Sequence, residues 1–239
     1  VGNVYGEVEW IGLQYRTDGE AIRAVLPECY RPAEKPTVSV VFCYNDGVDF
    51  LGGRGYRIAT VNVGARFDGE QDHVEGDYAL VMYEDDAIAV IMGREMHGVH
   101  KLFADISPVK TLGSGHLRCD VSLWGHMLFG IDLAPVKEQN LIARSVAAKE
   151  LNNRPMLGYK YIPCWDGPPD AAYPNMMPSE LKVEQLWLGK SGEVFYGDTK
   201  KEDIGLMVPV LDALKTLPVR EVTRTFRFRG SGLLRSDLS

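Results

Sequence analysis

The densest group of reactive side chains in this 239-residue sequence lies in residues 93–104, which read GREMHGVHKLFA. Lys101 is the most suggestive member, because Val99 precedes it and the apolar run 102–104 follows it. An ammonium group in apolar surroundings loses hydration, so burial predicts a pKa well below the usual value of about 10.4. The neutral amine can condense with a ketone to an iminium, which stabilises negative charge at the neighbouring carbon. The segment therefore indicates Schiff-base chemistry.

The same segment permits two other interpretations. A metal site would combine His97 and His100 with some of four further side chains, Glu95, His73, His116 and His126. The glycine between the two histidines removes the helical rigidity that makes such a spacing informative, and no acidic third ligand follows at a known offset, so we predict no metal and no cofactor. Histidines bonded to nearby backbone, and a lysine whose charged end reaches solvent, are the non-catalytic alternatives.

Composition and charge limit the possible partners. The chain has 26 basic and 33 acidic side chains, a net charge of −7, which disfavours nucleic acid and anionic membrane surfaces. The longest apolar runs, 38–44 and 87–92, are far shorter than the roughly 20 residues that a membrane-spanning helix needs. Four cysteines lie scattered without paired spacing, which favours a reducing, cytoplasmic location.

Most of the chain has the pattern of β-strands separated by turn residues. Strands are predicted, among others, at 37–44, 56–63, 77–84 and 87–92. Residues 65–76 are polar and contain glycine, which predicts a surface loop, whereas 204–214 has helical spacing. We therefore predict one domain over residues 1–239, of α+β class and mainly antiparallel β, with a few peripheral helices.

Several short motifs, taken together in order, resemble those of the acetoacetate decarboxylase family. The segment Gly93-Arg94-Glu95, with Lys101 six residues after Glu95, resembles the active-site segment of that family. The other motifs are Tyr15-Arg16-Thr17-Asp18, Pro27-Glu28, Gly76-Asp77-Tyr78, Met82-Tyr83, Asn153-Arg154-Pro155, Ile162-Pro163, Asp166-Gly167 and Leu217-Pro218-Val219. The resemblance covers nearly the whole chain. It implies a β-rich fold around a cone-like barrel, assembly into homo-oligomers, and a Schiff base on Lys101.

The chain departs from the true decarboxylases at positions near the expected site. Those enzymes have a second lysine directly after the Schiff-base lysine, where this chain has Leu102. Their substrate-binding arginine corresponds to Val8, and their two active-site acidic residues fall near Val41 and Arg54. Carboxylates beside a scissile carboxyl assist its departure, whereas a cation such as Arg54 would hold a carboxylate in place. The departures therefore favour chemistry that retains carbon dioxide.

The leading hypothesis is a class I aldolase–dehydratase. An enamine made by deprotonating a bound 2-oxo acid such as pyruvate adds to an aldehyde, and water is then eliminated, or the reverse reaction occurs. Lys101 forms the iminium, Arg54 binds the carboxylate, Tyr56 shuttles a proton, and His97 and Glu95 supply acid or base catalysis. The alternatives are decarboxylation of a β-keto acid such as acetoacetate, and a non-catalytic barrel that binds a carbonyl metabolite. Arg54 as a solvated turn residue, and Tyr56 and Glu95 as structural residues, also stay open.

Overall fold

The computed structural model describes residues 2–235, in which strands predominate. The strands are β1 (Gly2–Arg16), β2 (Tyr30–Pro32), β3 (Thr37–Val48), β4 (Arg54–Asp68), β5 (His73–Glu84), β6 (Lys101–Phe103), β7 (Asp105–Ile106), β8 (Lys110–Thr111), β9 (Leu117–Leu123), β10 (His126–Leu133), β11 (Lys137–Glu138), β12 (Met156–Ile162), β13 (Ala171–Met177), β14 (Ser179–Gly189), β15 (Gly192–Tyr196) and β16 (Glu221–Arg235). The helices are α1 (Gly19–Val25), α2 (Ala87–Glu95), α3 (Leu141–Asn152), α4 (Lys201–Ile204) and α5 (Val208–Lys215). The predicted α+β class with mostly antiparallel strands is confirmed.

The strands form two open sheets. The larger has 11 strands in the order β11-β14-β16-β1-β3-β4-β5-β12-β13, with β2 beside β4 and β6 beside β5. The smaller has five, in the order β15-β10-β9-β7, with β8 beside β9. A sheet closes into a barrel only when its outermost strands pair. Within residues 2–235, β11 and β13 do not pair, so the expected closed barrel is not found.

The main hydrophobic core lies between the two sheets. Phe42 of β3 and Tyr83 of β5 point from the larger sheet towards Phe129 of β10, with ring centroids 6.2 and 5.8 Å from that of Phe129. All three rings are fully buried. Because side chains alternate along a strand, the residues on either side of Tyr83 face away from this core. The outer face of β5, which carries Met82 and Glu84, therefore needs another element to cover it.

Helix α2 provides that cover, and it corrects the strand predicted at 87–92. The Asp86 side chain accepts a hydrogen bond from the Ala89 backbone N–H at 3.0 Å, which caps the helix at its N-terminus. Six apolar residues in a row are too few for periodicity to distinguish a buried strand from a helix. The segment that carries the candidate chemistry therefore follows a helix rather than a strand.

The loop predicted at 65–76 is also largely strand. Strand β4 continues to Asp68 and β5 begins at His73, so the two form a long antiparallel hairpin. Gly69 donates its backbone N–H to the Asp72 carbonyl at 2.9 Å, which closes the short turn between them. The strands predicted at 37–44, 56–63 and 77–84 are confirmed. Among the described residues, no helix combines the length and apolarity needed to cross a membrane.

Candidate active site

A β–α–β unit places Lys101 beside Glu84. Strand β5 ends at Glu84, α2 crosses over, and β6 returns parallel to β5 with Lys101 opposite Met82. Met82 and Glu84 are two residues apart on β5, so their side chains share a face with that of Lys101. This face is the outer one, opposite Tyr83. Two residues separated by 17 positions in the sequence thus become neighbours through the parallel register.

Lys101 and Glu84 form a buried ion pair. Nζ of Lys101 lies 2.7 Å from Oε1 of Glu84, and it also donates to the Ala89 carbonyl at 3.3 Å. The Glu84 side chain is fully buried and that of Lys101 is 11% exposed. Burial raises the pKa of Glu84, while the adjacent ammonium opposes that rise. The other carboxylate oxygen, Oε2, is buried and has no hydrogen-bond partner within residues 2–235.

Small residues allow α2 to lie directly on the lysine. Ala89 and Gly93 are four residues apart, so they share one face of the helix, and both are buried. A Cβ added at Gly93 would overlap Cδ, Cε and Nζ of Lys101. Arg94 donates to the Lys101 carbonyl at 3.1 Å, which joins the end of α2 to β6. The lysine side chain therefore extends beneath the helix in a channel that only glycine leaves open.

Two tyrosine hydroxyls lie on the same side of the larger sheet. Ile58 of β4 is directly opposite Glu84, so Tyr56, two residues earlier, shares that face. The hydroxyls of Tyr56 and Tyr5 are 3.2 Å apart. Burial, then Tyr5 and then Glu84 raise the pKa of Tyr56 well above its usual value, and burial raises that of Tyr5 to about 12. Both phenols therefore keep their protons at neutral pH.

This geometry changes the prediction for Lys101 in one respect. Of its apolar neighbours in the sequence, Val99 and Ala104 are buried and Phe103 is exposed. The Lys101 side chain itself is buried, as the sequence indicated. Its nitrogen, however, contacts a carboxylate that the sequence interpretation did not include. Within this ion pair, a proton must leave Nζ before the nitrogen can attack a carbonyl.

His97 and Glu95 occupy different environments. His97 is 6% exposed, and burial, followed by the charges of Lys101 and Lys160, lowers its pKa. Its Nε2 atom has no hydrogen-bond partner among the described residues. Glu95 lies exposed at the end of α2. The structure therefore brings His97 within electrostatic range of the amine and leaves Glu95 at the surface.

Arg54 and His100 are also placed apart from the ion pair. Arg54 is exposed at the start of β4, after two glycines with left-handed backbone, and its Nη1 lies 3.5 Å from the Leu51 carbonyl. His100 contacts the Tyr78 hydroxyl through Nε2 at 3.1 Å. No group of three or more histidine, cysteine or acidic side chains is suitably clustered for a metal ion in the part of the chain that the structure describes.

Lys101 lines neither of two surface cavities that lie near the tyrosines. The smaller, of about 370 Å³, is lined by Tyr44, Asn45, Asp46, Gly55, Tyr56, Arg57 and Asp85. It therefore reaches Tyr56 and the residue next to Glu84. The larger, of about 630 Å³, lies between β1, β14 and β16 and includes Tyr5. The Lys101 side chain is buried. Tyr56 lines the smaller cavity and Tyr5 lines the larger one.

Glu84 is a site residue that the sequence analysis did not identify, although one feature of the sequence points to it. In the run LVMYEDD, Glu84 is the first of three carboxylates and directly follows four apolar or aromatic residues of a strand. A charge at the end of such a buried run requires a partner. The sequence does not show which residue that partner is, because the pairing depends on the parallel register of β6.

Comparison with known proteins identifies the family. A family model described as acetoacetate decarboxylase (ADC) matches residues 3–235. The acetoacetate decarboxylase of Clostridium botulinum (strain Eklund 17B / Type B) is 29% identical over 191 residues, which cover 76% of this chain and 70% of the relative. That of Clostridium acetobutylicum is 29% identical over 222 residues, covering 90% and 79%. The chain belongs to the acetoacetate decarboxylase family.

Solved structures agree in fold. A structure of acetoacetate decarboxylase has a TM-score of 0.78 and 21% identity, covering 98% of this chain and 86% of that chain. The enduracididine biosynthesis enzyme MppR, complexed with the condensation product of pyruvate and imidazole 4-carboxaldehyde, has a TM-score of 0.71 and 18% identity, covering 98% and 87%. One fold thus includes proteins named for decarboxylation and a protein that holds an aldehyde condensation product.

Proposed function

We propose that this chain is a Schiff-base lyase that forms an enamine from a 2-oxo acid such as pyruvate on Lys101. The enamine adds to an aldehyde and the product loses water, or the reverse reaction occurs. The observation that carries the proposal is the enclosed amine of Lys101, held beneath α2 in a chain of this family. A site shielded from solvent protects an iminium from hydrolysis while it reacts.

The surroundings of the amine support aldol chemistry over decarboxylation. Val8 and Val41 are buried apolar residues, and Leu102 packs against the main core. Charged groups that the resemblance assigns to decarboxylases are therefore missing at these three positions. The carboxylate that is present, Glu84, is neutralised by its ion pair with the amine. A substrate carboxylate meets fewer groups here that would promote its departure.

The other site residues take roles that their positions permit. Tyr56, protonated at neutral pH, donates a hydrogen bond to the oxygen that becomes negatively charged as the carbonyl reacts. His97, whose lowered pKa keeps it neutral, accepts a proton from water or product. Arg54 binds the substrate carboxylate once its exposed side chain turns towards the smaller cavity. Glu95 is proposed as an acid or base at the surface end of α2, and the active protein is proposed to be a homo-oligomer.

Decarboxylation of a β-keto acid is the second candidate. The curated relatives described above are named acetoacetate decarboxylases, and their reaction also yields a small carbonyl product. Both candidates share the iminium on Lys101 and differ in how the enamine forms. One removes a proton from carbon and the other releases carbon dioxide.

Borohydride reduction in the presence of pyruvate tests the shared step. We expect a stable adduct on Lys101 by peptide mass measurement, absent in Lys101→Ala and retained in Lys190→Ala, which removes an exposed lysine. No adduct in the unsubstituted protein would instead indicate a protein that binds carbonyl compounds without reacting.

A product assay then separates the two reactions. With pyruvate and a panel of aldehydes, we expect ultraviolet absorbance from a conjugated 2-oxo acid. With acetoacetate we expect little release of carbon dioxide. Rapid carbon dioxide release together with no conjugated product would show that the decarboxylase assignment is the correct one.

A further inference from the structure

Among residues 2–235, Glu84 is the one carboxylate in contact with the Lys101 amine. Its Oε1 is 2.7 Å from Nζ of Lys101, a hydrogen-bond distance along which a proton can transfer directly. Its Oε2 is buried and unpartnered among residues 2–235, so one oxygen holds the amine while the other is available to a bound molecule. An unpartnered buried carboxylate oxygen costs folding free energy, and such groups concentrate at functional sites.

From this contact we propose that Glu84 is a catalytic residue that carries the protons of the Schiff-base reaction. It takes the proton from Lys101 so that the amine can attack, and returns it to the departing water. The inference rests on the proposed function, because it assigns a role within the same reaction.

The number of protons is conserved over the two steps of iminium formation. Glu84 accepts one proton from the ammonium, and the neutral nitrogen forms a bond to the carbonyl carbon while the oxygen takes up a proton from the nitrogen. Protonated Glu84 then donates to the resulting hydroxyl, the carbon–oxygen bond breaks, and water leaves. The product is an iminium with one positive charge, and Glu84 is again a carboxylate.

The regenerated carboxylate has a second task in the aldol reaction. It removes a proton from the carbon next to the iminium, and the electron pair of that C–H bond forms the enamine double bond. The methyl group of a pyruvate iminium is attached to the carbon that is bonded to Nζ, and is therefore close to Glu84. Decarboxylation needs no such base, because carbon dioxide departs with the bond electrons left behind.

Other titratable groups around Glu84 do not replace it. Asp85 and Asp86 follow it in the chain and raise its pKa by repulsion, less than burial does. Tyr56 from β4, Tyr5 from β1 and the Cys43 thiol from β3 are influenced by its charge. The pKa of each of these three groups is raised, so all three hold their protons at neutral pH. Lys101 is the cation that faces it.

An internal base predicts a distinctive pH dependence. Moving the proton from Lys101 to Glu84 leaves the proton count of the pair unchanged, so the reactive fraction does not depend on pH while the pair keeps one proton. At pH values below its pKa, an amine that releases its proton to solvent instead reacts about tenfold faster for each unit of rising pH, because its neutral fraction increases by that factor.

The test measures the rate of adduct formation with pyruvate, by borohydride quenching at timed intervals, between pH 6.5 and 8.5. For the unsubstituted protein we expect less than about a threefold change. For Glu84→Gln we expect a rate about 100-fold lower at pH 7, within the range typical of acid–base catalysis. Glu70→Gln, an exposed carboxylate on the β4–β5 turn, is the matched control and should resemble the unsubstituted protein.

The outcomes separate this inference from the function on which it rests. A rate in the unsubstituted protein that rises tenfold per pH unit overturns the role of Glu84, whether or not Glu84→Gln folds. A folded Glu84→Gln protein with an unchanged rate also overturns it, and leaves a structural ion pair. Absence of any adduct in the unsubstituted protein overturns the proposed function, and the inference with it.

Discussion

At the scale of single residues, the stability of this region depends on Lys101 and Glu84 together. Removing one partner of a buried ion pair leaves an uncompensated charge, whereas replacing both with apolar residues is often neutral. We expect Lys101→Met to lower the free energy of unfolding by about 3 kcal/mol. The double variant Lys101→Met/Glu84→Leu should lose less than Lys101→Met alone. Urea unfolding measures both, and a double variant at least as unstable as Lys101→Met would contradict this.

A second residue-scale prediction concerns pH and His100. Burial, and secondarily the charge of Arg94, lowers the pKa of His100, so the folded protein favours the neutral ring. Its stabilisation is complete above the unfolded pKa of about 6.5 and decreases as pH falls towards the lower folded pKa. Between pH 7 and 5, His100→Gln should lose less stability than the unsubstituted protein. Parallel stability curves from urea unfolding would show that the histidine is not responsible.

At the scale of elements, α2 determines where the amine lies. A side chain at Gly93 would occupy the space of the Lys101 methylenes and nitrogen. We expect Gly93→Ala to lower the rate of pyruvate adduct formation at least about 100-fold, because a displaced amine loses its alignment. Gly113→Ala is the matched control, since a Cβ there has no atom within 4 Å. If Gly93→Ala folds and reacts at the normal rate, the lysine does not depend on this close approach.

The same helix shows where sequence patterns are informative and where they are not. Strands β3 and β4 follow from β-branched residues bounded by turn signals, and Lys101 follows from its apolar neighbours. The apolar run of α2 is compatible with either element, and only the Asp86 cap favours the helix. Once 87–92 is taken as a strand, no crossover connects β5 to β6. The contact between Lys101 and Glu84 then cannot be inferred from the sequence.

At the scale of the whole molecule, long-range register limits what the sequence can predict. Glu84 meets Lys101 because β5 and β6 pair in parallel, and hydrogen bonds between distant strands leave no local pattern. Barrel closure depends in the same way on which strands lie outermost, so the expected barrel came from the resemblance and not from the residues. The single domain over residues 1–239 stays a prediction, and the family match over 3–235 is consistent with it.

An exposed apolar face of one helix is relevant to how the whole molecule assembles. Helix α3 packs Ala147 and Leu151 against a small core that includes Phe228. Its other side exposes Leu141 by 69% and Ile142 by 75% of their surfaces. Contiguous exposed apolar side chains of this size mark interaction sites. We therefore predict that this face of α3 contributes to the interface of the proposed homo-oligomer.

Light scattering after size-exclusion chromatography tests this at micromolar concentration. The unsubstituted protein should have the mass of an oligomer, and Ile142→Asp should reduce that mass because a carboxylate buried in an apolar interface costs several kcal/mol. Val219→Asp is the matched control, since Val219 is 50% exposed but lies outside α3, and it should leave the mass unchanged. A monomeric unsubstituted protein would contradict the homo-oligomer itself. An Ile142→Asp protein of unchanged mass would place the interface on another surface.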